Sequence, residues 1–172
     1  MNPTQDLNED MDIVGLWLRK DPIRWVSGAL AGATSGLIAI VLAMLLTSMS
    51  RLEFWFPVKL IGAIALGPSA TVVGSNFGAI ITGFILFEIM TMVLGAAYAH
   101  FARTSFLPAL LGMGLVWGAF TWIFIWNLFF QSFKAIFAAQ VSSGAAFVVC
   151  MVFGMGLTAV AFFDRAIRGK DL

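Results

Sequence analysis

Four long apolar stretches constrain this chain more than anything else in it. They run from about residue 25 to 49, 76 to 99, 106 to 129 and 141 to 163, each flanked by charged or polar residues. A helix needs about 20 such residues to cross the hydrocarbon core of a bilayer. Inside a bilayer every backbone N–H and C=O must be satisfied within the protein, which leaves helices or closed barrels. The uninterrupted apolar runs are helical, so the expected fold is an all-α membrane bundle of four spans. Composition agrees: of 172 residues, 60% are apolar and 11% charged, and the mean hydropathy is +0.96. Soluble domains carry about 25% charge, so a soluble enzyme or binding domain is excluded.

Several chemistries fall away by counting. Ten basic against nine acidic residues give a net charge of +1. With the basic residues scattered, no nucleic-acid face is expected. One cysteine, Cys150, cannot form an intramolecular disulfide or a multi-cysteine metal site, and one histidine, His100, removes most haem and copper chemistry from the isolated chain. No nucleophile–base pair, metal-ligand cluster or phosphate loop is legible. The expectation is a chain without catalytic residues, metal or cofactor of its own. His100 is retained as a weak axial-ligand candidate.

Orientation follows from the basic residues beside the spans. With the N-terminus inside, Arg19, Lys20, Arg24, Arg103, Arg165, Arg168 and Lys170 lie on the inner side, and Arg51, Lys59 and Lys134 on the outer. Seven against three favours both termini in the cytoplasm. The acidic opening and the long first span do not fit a cleavable signal. Trp25, Trp55 and Trp126 fall near the expected interfaces, where an amphipathic ring is most stable.

Two segments are not expected to span. Residues 1–24 form a cytoplasmic tail in which Leu7, Met11, Val14 and Leu18 recur at helical spacing, consistent with either a surface-lying amphipathic helix ended by Pro22 or a frayed terminus. Residues 165–172 form a second tail. The run 54–66 in the first outer loop is too short to span. Its Phe54-Trp55-Phe56 cluster and flanking Pro57 and Pro68 suggest a helix lying at the interface, with a shallow re-entrant helix as the alternative.

Oily side chains gain nothing by leaving lipid for protein, so small residues must let the helices approach. Gly28, Gly32 and Gly36 stripe the first span, Gly74 and Gly78 open the second, Gly114 and Gly118 lie in the third, and Gly154 follows Cys150 in the fourth. Glu88, about halfway along the second span, is the one ionisable residue deep in an apolar stretch. Such a carboxyl is a functional hypothesis by default, as proton relay or ion ligand. The plainer reading is a neutral Glu88 bonded inside the bundle or to a partner subunit. Ser35 and Thr121, with Thr34, Trp117 and Gly154, fall near its depth.

The stretch Phe54-Trp55-Phe56-Pro57-Val58-Lys59-Leu60-Ile61, with Gly95 to Tyr98 at the end of the second span, resembles a group of uncharacterised bacterial inner-membrane proteins. The resemblance implies a bacterial four-span protein and no activity. The leading functional expectation is a non-catalytic subunit bracing a larger membrane complex, with a respiratory assembly as its setting. It would meet lipid, other subunits and, by its aromatic faces, lipid or quinone. A small homo-oligomeric transporter or channel using Glu88 is the alternative, and an assembly factor acting through residues 1–24 is the third reading.

Overall fold

A computed structural model describes residues 21–74, 76–125 and 142–169. The described residues are helical, without a strand. In order they form α1 (Pro22–Met49), α2 (Phe56–Leu66), a 3-10 turn (Pro68–Thr71), α3 (Phe77–Phe101) and α4 (Leu107–Ile123). Then come α5 (Ser143–Gly156), a 3-10 turn (Leu157–Ala159) and α6 (Val160–Arg168). The last three run on as a 26-residue rod, and α1, α3 and this rod are the three helices long and apolar enough to cross a membrane. The described part of α4 has 17 residues and lies in the third expected stretch. Residues 126–129 of that stretch, Trp126 among them, and residues 1–20 lie outside the described residues.

Local chemistry sets the helix ends. Asp21 caps α1, its side chain accepting from the Arg24 amide at 3.2 Å, and Pro22 follows at the first position, where it needs no N–H partner. At the other end, Leu52 N–H donates to Thr47 O at 3.2 Å and Arg51 N–H to Ser48 O at 3.1 Å. This is the Schellman pairing, and it puts Arg51 at φ 61° in the left-handed position where glycine is usual. Asn76 caps α3 by accepting from the Ala79 amide.

The helices pack in one row, α3 against α1, α1 against the α5–α6 rod, and α5 against α4. Each neighbouring pair is antiparallel. Gly28 and Gly32 of α1 meet Gly95 and Ala99 of α3, while Gly36 meets Thr91: a Cβ on Gly95 would lie 2.7 Å from the Gly32 Cα, and one on Gly36 would lie 2.6 Å from Thr91 Oγ1. Gly114 faces the Gly154 carbonyl, and a Cβ on Gly118 would lie 2.6 Å from Cys150 O. The stripes in the first, third and fourth stretches are therefore contact lines. Gly74 and Gly78 are not. Gly74 sits before α3 at φ 121°, and a Cβ on Gly78 would meet only the Asn76 side chain. Their place in the packing is taken by Gly83, against Val58 of α2, and Gly62, against Ala79 of α3.

The same contact sets the course of α2, which covers most of residues 54–66. Val58 meets Gly83 and Gly62 meets Ala79, one turn apart on both helices. Contacts stepping in register by a turn mean that α2 runs alongside α3, antiparallel to it. The small residues at the contact allow the two backbones to touch along their length.

Candidate functional site

The polar side chains buried among these helices act as ties between elements. Arg24, 9% exposed, reaches from the first turn of α1 to three acceptors. Its Nη1 donates to Asp164 Oδ2 at 3.0 Å, and its Nη2 donates to the carbonyls of Ala102 and, at 2.8 Å, Thr104. Asp164 in turn accepts from Arg168 Nε at 3.2 Å, and Arg168 Nη2 donates to Asp21 Oδ2 at 2.5 Å. One network thus joins the start of α1, the end of α3 and the last turn of α6. Asp164 is largely buried against Arg24, while Arg165 is exposed. Burial raises the carboxyl pKa of Asp21, but the Arg168 hydrogen bond, the Arg24 amide and the two guanidinium charges outweigh it. They hold the group below the ordinary aspartate value.

The opposite end has its own tie. Lys59 of α2 is fully buried. Its Nζ donates to Glu53 Oε1 at 2.8 Å and Oε2 at 2.7 Å, to Val72 O at 3.2 Å and to Gly74 O. The ammonium pins the chain on both sides of α2 to the helix between them. Charge alone gave no sign of this in the sequence; the six-residue step from Glu53 to Lys59 across Pro57 was the available signal.

Between the ends, Ser35 Oγ donates to Phe153 O at 2.5 Å and sits against Gly156, tying α1 to the rod. Thr34 bonds back into its own helix, to Leu30 O and Ala31 O. Thr91 Oγ1 donates to the Glu88 carbonyl, not to its carboxyl. Glu88 Oε1, Trp117 Nε1, Thr121 Oγ1 and Trp122 Nε1 are buried without a hydrogen-bond partner among the described residues. The residues expected to share a depth with Glu88 therefore do not converge on its carboxyl. His100 stands at the end of α3, where its Nδ1 accepts from Trp25 Nε1 at 3.3 Å, and the two rings meet edge to face. Trp55 is partly exposed and packs edge to face on Phe54.

Helices α3 and α4 share no extended backbone face among the described residues. They meet near their linked ends, where Tyr98 O–H donates to Leu110 O at 2.7 Å. From there a row of rings follows the seam. Tyr98 and Phe101 lie 6.1 and 5.9 Å from Trp117, Trp117 lies 5.7 Å from Phe120, and Phe120 lies 6.3 Å from Phe124. Phe101, Phe120 and Phe124 are about half exposed. The row joins rings from two helices and leaves Phe101, Phe120 and Phe124 exposed along one edge, a feature that spacing within either helix does not reveal. No family model, curated protein or solved structure matches the chain.

Proposed function

We propose that this chain is a four-span protein of the bacterial inner membrane, with both ends cytoplasmic, that serves as a non-catalytic accessory subunit of a larger membrane complex. An electron-transfer assembly is the setting to test first. The observation that carries the reading is the aromatic row along the α3–α4 seam. Aromatic rings supply large, rigid contact area, and this row lies where α3 and α4 do not cover each other among the described residues. The small and polar groups point inward and large apolar ones outward: Ile85, Ile89, Val93, Val116 and Phe120 are exposed while Ser27, Ser35 and Thr91 are buried. That is the reverse of a water-soluble surface. The gathering of Arg24, Arg103 and Arg168 at one end of the bundle supports the cytoplasmic assignment of that end. In this setting the antiparallel course of α2 along α3 corresponds to a shallow re-entrant helix.

The test is photo-crosslinking in intact cells, with the probe placed at Val116 or Phe120 on the seam and at Ile38 on the far side of α1. The proposal expects one discrete polypeptide captured from the seam and none from Ile38. Capture at all three sites alike, or at none, contradicts it. The second reading, a homo-oligomeric transporter, is favoured by the unpartnered Glu88 Oε1. There Glu88→Gln abolishes proton-coupled flux, whereas an accessory subunit carrying it assembles normally.

A further inference from the structure

Where α2 stands away from α5, the bundle holds a cavity of about 230 Å3, partly open and lined by α1, α2, α3, α5 and the end of α4. We propose that it holds one acyl chain of a membrane phospholipid. Helices α2 and α5 share no extended backbone face among the described residues, so the space between them is not closed by their own packing. On α1 the lining runs from Ile40 to Ser50, a slot about 15 Å long at the helical rise of about 1.5 Å per residue. That is half of a hydrocarbon core about 30 Å thick, the depth of one leaflet. The deep end is apolar, with Ile40, Phe87, Val149 and Cys150 in its wall. The hydroxyls, Thr47, Ser50 and Ser142, lie at the other end, at the close of α1 and the start of α5. Two of them are committed within α1: Thr47 Oγ1 donates to Ala43 O at 2.6 Å and Ser50 Oγ to Leu46 O at 3.1 Å. No charged side chain lines the cavity among the described residues. The lining therefore passes from weakly polar to wholly apolar over the length of one leaflet, as a phospholipid does from its ester linkages down its chain. A dry apolar cavity of about 150 Å3 already takes up a hydrocarbon guest such as benzene, and this one is larger. Set among membrane spans, it is bathed in acyl chains at solvent concentration, and mass action fills even a weak site. An acyl chain restores the dispersion contacts that an empty slot would deny the side chains around it.

The inference rests on reading α1, α3 and the α5–α6 rod as membrane spans, not on the accessory role. The full chain in mild detergent is offered dipalmitoyl phosphatidylcholine, a lipid without net charge, so that binding reads the chain and not the headgroup. The lipid retained is read by native mass spectrometry, and the expected result is one lipid held per chain. Filling the slot with Ala43→Leu/Ala146→Leu is expected to lower retention about fivefold or more, the lower end of the penalty for overpacking an occupied site. Val148→Phe, on the exposed side of α5 and outside the cavity, leaves retention unchanged. Should the double variant lose its helical circular dichroism, Ala146→Leu alone replaces it. Cys150, the one cysteine of the chain, lines the cavity, so the bound lipid is also expected to slow its alkylation by N-ethylmaleimide severalfold. No retained lipid, undiminished retention in the filled variant, an equal loss in Val148→Phe, or unchanged alkylation of Cys150 overturns the site. Displacement of the lipid by an equal amount of a long-chain isoprenoid quinone overturns it too, and assigns the slot to an isoprenoid chain. Alkaline carbonate run in parallel separates the two claims: release of the chain from membranes sinks the span reading itself, whereas failure of lipid retention sinks only the site.

Discussion

At the residue scale, the stability of this bundle depends on a few polar side chains whose partners are remote in sequence. Arg24 and Asp164 are 140 positions apart, and both are largely shielded. Removing one member of such a pair strands the other charge, at a cost of about 3 kcal/mol. Asp164→Ala is therefore expected to lower the unfolding midpoint in detergent sharply. The double variant Arg24→Met/Asp164→Leu, which strands no charge, is expected to recover most of the loss, and a double variant less stable than the single one contradicts the pairing. Asp21 gives the network a pH dependence. Its pKa is lower in the folded chain than in the unfolded one, so its contribution is fully present above the unfolded value, about 3.9. It fades as pH falls through the lower folded value. Thermal midpoints should drop below about pH 4, and Asp21→Asn should flatten that drop; because the group is over a third exposed, the effect is small. None of this was legible beforehand, because a charge at the end of a span looks the same whether it faces lipid headgroups or a partner helix.

At the scale of helices, small residues set which faces meet, but spacing alone does not say which stripes are used. Gly28, Gly32 and Gly36 lie mid-stretch in an apolar span, and their shared stripe is a contact line. Gly74 and Gly78 have the same spacing, but the helix begins only at Phe77, so the stripe they suggest is broken by the helix start. The functional glycine of that end, Gly83, has its counterpart on a helix whose course beside α3 depends on the buried Lys59. Gly83→Leu would drive a side chain into the Val58 backbone and is expected to cost about 3 kcal/mol, the upper range for overpacking. Gly78→Leu, whose Cβ would make only an ordinary contact with the Asn76 side chain, is expected to change stability by less than about 1 kcal/mol. Equal effects in a denaturant titration would contradict the α2–α3 contact. Replacing Lys59 by Met leaves Glu53 and two carbonyls without their donor, and is expected to raise labelling of cysteines placed in α2 by a water-soluble thiol reagent.

At the scale of the molecule, hydropathy alone predicted a helical chain with long apolar spans, because the bilayer admits so few alternatives. The three long helices fall in the first, second and fourth stretches. The order of packing was not legible. Nothing in the run of residues says that α1 lies between α3 and the last rod, or that consecutive α3 and α4 leave a seam, since that arrangement follows from pairwise matches such as Ser35 with Phe153. In the proposed reading the seam is the face that meets a neighbouring subunit. The most direct test is the mass of the particle released from its own membranes in gentle detergent, with an absorbance spectrum taken on the same sample. The account expects other subunits at fixed stoichiometry, with any pigment carried by them, and expects the assembly to dissociate when Phe120 is replaced by Ala. A colourless particle made only of copies of this chain would contradict it.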